Sequence, residues 1–407
     1  MRALDIVSFQ RGILVSLRFV QTWGVLLLIV SCSDCRNEAT SNRVYVDAVS
    51  HYAVIAEEAY RDTVLAAEAL QVAVNALVAK PSSDTLQAAK VAWLAAREPY
   101  LQTEVYRFYE GPIDHEKDGV EGLLNAWPMD ENFVDYTRGP DGQTIVSGLI
   151  NNPDFPLTEE AIEAKNEQGG EKNVATGYHA IEFLLWGQDT SDDGPGNRPF
   201  TDFVTDGSGT QANQERRGKY LKITTGLLVK HLRQVYAQWK TDGDYRKNFI
   251  SGPPEAAILK MLTGMIVLAG FETGGERLQA ALDSQDREDE HSCFSDNTHR
   301  DMIQDIQGIQ NVFLGSFSGR TPGVGVKDVI ATLDSTMASR IEMQIVDALA
   351  KANALVVPFE SEIAPGNSAG HARVGGLIAS LKTLERSLEE VFVQMDFKVP
   401  ADAVEFE

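Results

Sequence analysis

Along most of this chain apolar residues recur at gaps of three and four, the spacing that buries one face of a helix. Val46, Val49, Ala53, Ala56, Tyr60, Val64, Ala67, Leu70, Val74 and Leu77 predict one long helix from Val44, ended by Lys80-Pro81-Ser82-Ser83. Asp84, with Gln87 three later, is placed to cap a second helix carrying Leu86, Ala89, Trp93, Ala96, Tyr100 and Phe108 on its apolar side. Pro99 should kink that helix near Arg97 and Glu98, one to two turns before Glu104. Positions 111–172 lose the period and carry Gly139-Pro140-Asp141-Gly142 and Asn151-Asn152-Pro153, so a long excursion with short helices is expected. A helix from Gly177 follows and closes at Gly187. The polar stretch from Asp189 to Glu215 then reads as a solvated linker, because it lacks the Asp-x-Asp-x-Asp-Gly spacing of a calcium loop.

Helical order resumes with Tyr220, Ile223, Leu227, Leu228, His231, Val235 and Trp239, breaks at Thr241-Asp242-Gly243-Asp244, and restarts after Ser251-Gly252-Pro253-Pro254. Ala256 to Ala269 is almost wholly apolar and must lie in the core. Phe271-Glu272-x-x-Gly275-Glu276-Arg277-Leu278 is similar in its carboxylates and arginine to the stretch around Arg97 and Glu104. Long helix, break, apolar helix and charged continuation thus recur in the same order in both halves, a pattern-level sign of internal duplication. Met302 to Leu314, Asp328 to Leu355 in two pieces, and Val374 to Phe392 complete the second half, and no convincing strand run is present. The expected fold is all-α, with two related helical bundles packed side by side: residues 44–218, including the excursion and the Gly177 helix, and residues 219–407.

The Gly177 helix carries the candidate chemistry. Tyr178, Ile181 and Leu185 form one apolar stripe and Phe183, Leu184 and Trp186 surround the rest, so the helix must be buried. Apart from the Tyr178 phenol, its ionisable groups are His179 and Glu182, three apart on one face. A buried carboxylate takes up a proton or acquires a cation, and an imidazole facing the same way makes a metal ion a natural partner. Two ligands do not complete a site, and the spacing differs from both His-Glu-x-x-His and His-x-x-Glu-His, since Phe183 stands where the latter needs its second histidine. A bland alternative is that Glu182 pairs with Arg97 in a dry core, and a salt bridge between Arg97 and Glu104 is equally compatible with their spacing. The acidic run Asp286-Arg287-Glu288-Asp289-Glu290-His291 reads as a solvated segment, although its continuation into Cys293 to His299 leaves it a role in shaping the site.

Gly177-x-His179-x-x-Glu182 resembles the Gly-x-His-x-x-Glu signature of the imelysin-like family. Trp93-x-x-x-Arg97-x-x-Tyr100-x-x-x-Glu104-x-x-Arg107-Phe108, Gly122 to Pro128, and Cys293-Phe294-Ser295-Asp296-Asn297-Thr298-His299 are also similar to that family, the last to its iron-regulated protein A branch. The likeness runs from about Val44 to the C-terminus. It implies an all-helical periplasmic or surface protein associated with uptake of iron or another divalent metal, historically classed with metallopeptidases. It also favours Glu104 as the carboxylate that closes the His179 and Glu182 site, with Arg97 and Gly177 supporting it. Two function classes follow: a metal-binding uptake protein, for which one imidazole among oxygens suits iron, or a zinc metallopeptidase, against which the missing second histidine argues.

Composition narrows the partners. At 407 residues two domains are expected, and a formal charge of -23 disfavours nucleic acid and anionic lipid. Arg2, Arg11 and Arg18 precede the apolar run Trp23 to Cys32, so residues 1–31 read as an export signal and Ile29-Val30-Ser31-Cys32 as a lipobox, with residues 32–43 a tether. The expectation is an exported lipoprotein anchored through Cys32, periplasmic or at the cell surface, with a membrane uptake protein as partner. Removing residues 1–31 takes away three Arg and one Asp and leaves a charge of -25, so the acidic reading stands. The three cysteines exclude zinc-finger chemistry, and neither a Gly-x-Ser-x-Gly elbow nor a phosphate loop occurs.

Overall fold

The computed structural model describes residues 41–191 and 194–397 in full, and residues 6–40 as backbone. The export-signal and Cys32 anchor expectations therefore fall on side chains outside the described residues. Helix α1 (Ile6–Ala79) buries Val49, Ala53, Ala56, Tyr60, Val64, Ala67, Leu70, Val74 and Leu77 on one stripe and stops two residues before Pro81. Helix α2 (Ser83–Leu101) is capped by Ser82, not by Asp84. The Ser82 hydroxyl accepts from the Thr85 N–H at 3.2 Å while Thr85 Oγ1 accepts from the Ser82 N–H at 2.9 Å. Pro99 sits in the last turn, so it ends the helix at Leu101 where a mid-helix kink was expected, and Glu104 opens a separate 3-10 turn, Glu104–Tyr106.

The excursion contains α3 (Glu121–Asn125), a two-residue hairpin of β1 (Thr137–Arg138) and β2 (Thr144–Ile145), α4 (Gly148–Asn151) and α5 (Glu159–Glu163). The hairpin pairs Thr137 with Ile145 in antiparallel register around the Gly139 to Gly142 turn and is too short to show a period of two in the sequence. The motif helix is α6 (Gly177–Trp186), followed by α7 (Gln214–Trp239), α8 (Asp244–Ser251) and α9 (Pro254–Val267). The apolar run continues as a π-helical segment, Leu268–Gln279, before α10 (Ala280–Ser284). The chain closes with α11 (Thr298–Leu314), α12 (Val326–Leu333), α13 (Ser335–Ala352), α14 (Glu360–Ile363) and α15 (Ser368–Gln394). The all-helical expectation holds.

Helices α2 and α7 each pack along α1, with α6 held between α2, α3 and α7. The π segment, α9, α11, α12, α13 and α15 form the other group. The two groups share one continuous apolar core, and α1 against α9 and α12, α2 against α11, and the Glu104–Tyr106 turn against α9 and α11 are among the contacts that join them. Close approach there depends on Gly264, where a Cβ would stand 2.2 Å from the Val105 carbonyl oxygen. The described residues from Asp189 to Glu215 are largely exposed or half-buried, as a solvated linker would be, but part of the segment is anchored. Arg198 and Asp202 are buried, and Arg198 Nη1 donates to Asp135 Oδ2 at 2.9 Å and to Asp202 Oδ2 at 3.1 Å. Arg217 adds a 2.6 Å bond to Asp135, so paired charges that cancel in composition pin the loop to the excursion.

Candidate metal centre

All ten residues of α6 are buried. Its first residue explains why the motif begins with glycine: Gly177 has φ of 81°, and a Cβ there would lie 2.5 Å from the Leu124 carbonyl oxygen. The chain can thus turn into α6 directly against α3. The Trp93 indole N–H donates to the Tyr178 carbonyl at 3.0 Å and fixes the start of α6 against α2. These contacts aim His179 and Glu182 into the space between the two helix groups, at 1 % and 0 % exposure.

His179 Nδ1 and Glu182 Oε2 are 2.9 Å apart. The other carboxylate oxygen, Oε1, accepts from the Ser295 N–H at 3.0 Å and from its hydroxyl at 2.6 Å. His179 Nε2 is buried and has no hydrogen-bond partner. Trp127 packs against the His179 ring, and on another side stands His291, its ring centroid 4.9 Å away at an interplanar angle of 69°. His291 repeats the arrangement, for its Nδ1 lies 2.7 Å from Asp301 Oδ2, and its Nε2 has only a 3.5 Å contact from Asn125 Nδ2. Two imidazoles therefore sit side by side, each held at Nδ1 by a carboxylate.

Arg97 completes the frame. Its Nη1 donates to Asn125 Oδ1 at 2.6 Å and its Nη2 to Asp301 Oδ2 at 3.1 Å, with the rings of Trp93, Tyr100 and Tyr178 around the guanidinium. Its ion pair is with Asp301 and not with Glu182, so the dry-core pairing of Arg97 with Glu182 is not what forms. Burial, the His291 ring and Arg97 hold the His179 pKa well below the usual imidazole value, and burial with Arg277 pushes His291 down to about 4. Both rings are neutral at pH 7, as metal ligation requires. Burial raises Glu182 to about 8 against the Ser295 hydrogen bond and Arg97. Asp301 is also desolvated, but Arg97, His291 and Ser292 keep it ionised.

Glu104 belongs to a different set of contacts. Its Oε2 accepts from Arg107 at 2.6 Å and from Arg277 at 2.7 Å, and although burial opposes ionisation these two arginines bring its pKa down to about 2. Arg277 also binds Glu272 and Asp305, each at 2.7 Å, so the Glu272 to Arg277 stretch meets Glu104 directly. Neither His179 nor Glu182 is a partner of Glu104, and no compact group of ligand atoms unites the three among the described residues. The residues that do reach His179 and Glu182 are His291 and Ser295. His291 ends the acidic run that composition reads as solvated, yet the run divides: Asp286 and Glu288 are exposed while Glu290 and His291 are buried. Its signal in the sequence was the abrupt change from charge to Ser292-Cys293-Phe294 immediately after it.

A cleft of about 520 Å³ reaches this centre at His291, Asn125 and Trp127. Six acidic side chains line it, Glu121, Glu167, Glu171, Glu272, Glu276 and Asp289, against three basic ones. A metal ion fits the donor set on one observation, the orphaned His179 Nε2 beside a second imidazole with its own carboxylate. Carboxylate to Nδ1 with Nε2 left for the ion is the recurring support of metal-binding histidines.

Comparison with known proteins places the architecture. Residues 56–388 match the peptidase family model described as Imelysin. Iron-regulated protein A of Synechococcus elongatus is 23% identical over 379 residues, covering 90% of each chain. A protein described as an iron-regulated protein A precursor from Parabacteroides distasonis superposes with a TM-score of 0.65 at 19% identity, over 85% of this chain and 95% of its own. An imelysin-like protein from Psychrobacter arcticum gives a TM-score of 0.60 at 14% identity, over 88% and 98% of the two chains. At these identities the solved structures speak for the fold, and the family match, which covers most of the chain, decides the membership: this protein belongs to the imelysin family.

Proposed function

We propose that this chain is an exported metal-binding protein that captures iron, or another divalent metal, at the paired histidines His179 and His291 and hands it to a membrane uptake partner. The observation that carries the reading is the pair of neutral, buried imidazoles with Nδ1 of each held by a carboxylate, Glu182 and Asp301. The cleft supplies approach, since its excess of acids attracts a cation towards His291. Glu182 then acts as the group that orients His179, in place of the direct ligand expected from spacing alone. Among the described residues no third His, Cys, Asp or Glu forms a compact set with them, so a bound ion keeps water or a carrier's ligands in its other positions. That suits a cargo that must leave again, and relatives named for iron regulation support iron as the cargo. Cys32, as a lipidated residue, would hold the chain at the membrane where a partner receives the ion.

The zinc peptidase reading gains a second imidazole from His291 but lacks a third protein ligand. A catalytic zinc needs three protein ligands, whereas among the described residues no further His, Cys, Asp or Glu forms a compact set with the two histidines. The deciding experiment measures ferrous iron binding to the chelator-treated full chain under anaerobic conditions, for wild type, His179→Ala and His291→Ala. One iron per wild-type chain, lost in both variants, is expected. Unchanged binding in the pair would refute the site, and chelator-sensitive cleavage of casein abolished by His179→Ala would establish the peptidase instead.

A further inference from the structure

A second pocket, of about 150 Å³, lies at the end of α6 opposite Gly177, where the chain leaves the helix at Gly187. Arg138, Gln188, Thr190, Asn197 and Arg198 supply its polar wall, and Trp186 part of the rest. In a chain with 59 acidic residues no Asp or Glu lines this pocket, whereas six line the cleft at His291. Its volume is below the roughly 300–1,000 Å³ of sites for larger ligands, which limits an occupant to a small molecule or ion.

The independent observation is the Arg198 side chain, which is only 4 % exposed. Its Nη1 makes both of its hydrogen bonds, to Asp135 and to Asp202. Nε is buried without a partner, and Nη2 donates to nothing among the described residues. These two nitrogens form one edge of the guanidinium, the fork that grips two oxygens of an anion at once. Arg217 shows the fork filled, its Nε and Nη2 donating to the two oxygens of Asp135 at 2.6 and 3.0 Å. In Arg198 the same fork is left over, and buried donors without acceptors are costly. The rings of Tyr136 and Phe183 hold its plane, 4.9 and 5.2 Å from the central carbon. A Cβ at Gly187 would stand 3.7 Å from Nε, so glycine at the end of α6 keeps space beside the fork.

Charge selects the anion. Arg198 and Arg217 balance Asp135 and Asp202, two against two. Arg138, whose Nη1 reaches only the Gly142 carbonyl, and Lys90 have no ion-pair partner among the described residues. Lys90 is half-buried, its Nζ 5.2 Å from the centre of the Trp186 ring. Burial and then Arg198 lower its pKa to about 8, so it is still a cation at pH 7. Two unbalanced cations match a divalent anion. The overall charge of -23 repels anions at long range, but physiological salt screens it beyond about 8 Å, so the local excess decides. The carbonyl end of α6 helps to gather cations here, yet none of its carbonyls accepts from the Arg198 side chain.

We infer that this pocket binds inorganic phosphate as the dianion, two oxygens on the Nε and Nη2 fork of Arg198 and the others towards Arg138, Gln188 and Lys90. Gln188 Oε1 accepts from the Arg138 N–H at 2.6 Å, which leaves the amide N–H groups of Gln188 for the ligand. The anion ties β1, through Arg138, and α2, through Lys90, to the loop that follows α6, and so secures the end of the motif helix. Gly187 is about 12 Å along α6 from His179, and the site does not rest on the metal reading.

The test titrates the full chain with sodium phosphate in an organic buffer at constant ionic strength, by calorimetry and by thermal melting. One phosphate per chain and a raised Tm are expected, in wild type and equally in His179→Ala. Phosphate also stabilises proteins by exclusion from their surface, so the decisive comparison is with the paired variant Lys90→Gln with Arg138→Gln. That variant should bind phosphate about tenfold or more weakly, the worth of a hydrogen bond to a charged group. Its phosphate-free Tm stays close to wild type, because neither residue gives up an ion pair. Arg198→Lys keeps a charge for Asp135 and Asp202 but removes the fork, and with its helical circular dichroism intact it should bind no phosphate. No binding to wild type at millimolar phosphate, equal binding by wild type and the paired variant, or acetate bound as tightly as phosphate would each overturn the site.

Discussion

If the histidine pair holds a metal as proposed, binding should release a proton. In the metal-free chain Glu182 titrates at about 8, so at pH 7 its carboxyl proton lies between Oε2 and His179 Nδ1. For His179 Nε2 to hold an ion, Nδ1 must carry the ring's proton and donate to a Glu182 carboxylate, and one proton leaves per ion bound. His179 and His291 are neutral across pH 6 to 8, their pKa values being held below that range, so they add nothing to the slope. Apparent affinity therefore rises about 50-fold from pH 6 to pH 8, or about 2.3 kcal/mol, as expected for one group with a pKa of about 8. Calorimetry with ferrous iron in two buffers of different ionisation enthalpy counts the proton directly. Glu182→Gln tests its source. The two Ser295 donors claim the amide oxygen, the amide nitrogen then faces Nδ1, and Nε2 is forced to carry hydrogen. That variant should lose about tenfold or more in affinity at pH 8 and show no slope. Affinity independent of pH between 6 and 8, or wild-type binding by Glu182→Gln, would refute the reasoning.

Metal-free stability should fall as pH rises from about 6.5 to 8: the folded chain keeps the Glu182 proton to about 8, whereas the unfolded chain has released it near the ordinary value of 4.5. Below 6.5 the depressed histidines work in the opposite direction, so a Tm that climbs between pH 6.5 and 8 would count against this. Gly177→Ala forces a side chain into left-handed backbone against the Leu124 carbonyl and should cost about 2–4 kcal/mol in urea unfolding, more than a surface Gly→Ala change. Glu104→Gln should destabilise by about 3–5 kcal/mol, because Arg107 and Arg277 lose their shared buried anion, while iron affinity stays at the wild-type value; a loss of affinity with stability intact would return Glu104 to the metal site. Cys32→Ala should shift the chain from the membrane to the soluble fraction, and unchanged membrane retention would exclude a lipid anchor.

Much of this protein is legible from its residues alone, for reasons that are local. Spacings of three and four along α1 and α2 state which faces must be buried, and an apolar helix with two ionisable residues three apart marks His179 and Glu182 as candidates, which the fold places buried and 2.9 Å apart. Burial of α6 and the shared face of its two polar groups follow from helix geometry. The need for glycine at position 177 is different, since only the approach of Leu124 explains it.

Partners across long sequence separations were decided by tertiary structure. Arg97, Glu104 and Arg277 each had several charges within reach by spacing, and the packing of α2 against α11 gave Arg97 to Asp301 while the π segment brought Arg277 to Glu104. His291 could not be found by pattern because composition sees Asp286 to His291 as one charged run, whereas burial turns on where the chain crosses the surface between Asp289 and Glu290. Periodicity reports the environment of a helix averaged over its turns. A loop has no such average, so the imidazole that faces His179 and the serine that holds Glu182 became visible only once the fold had brought their segments together.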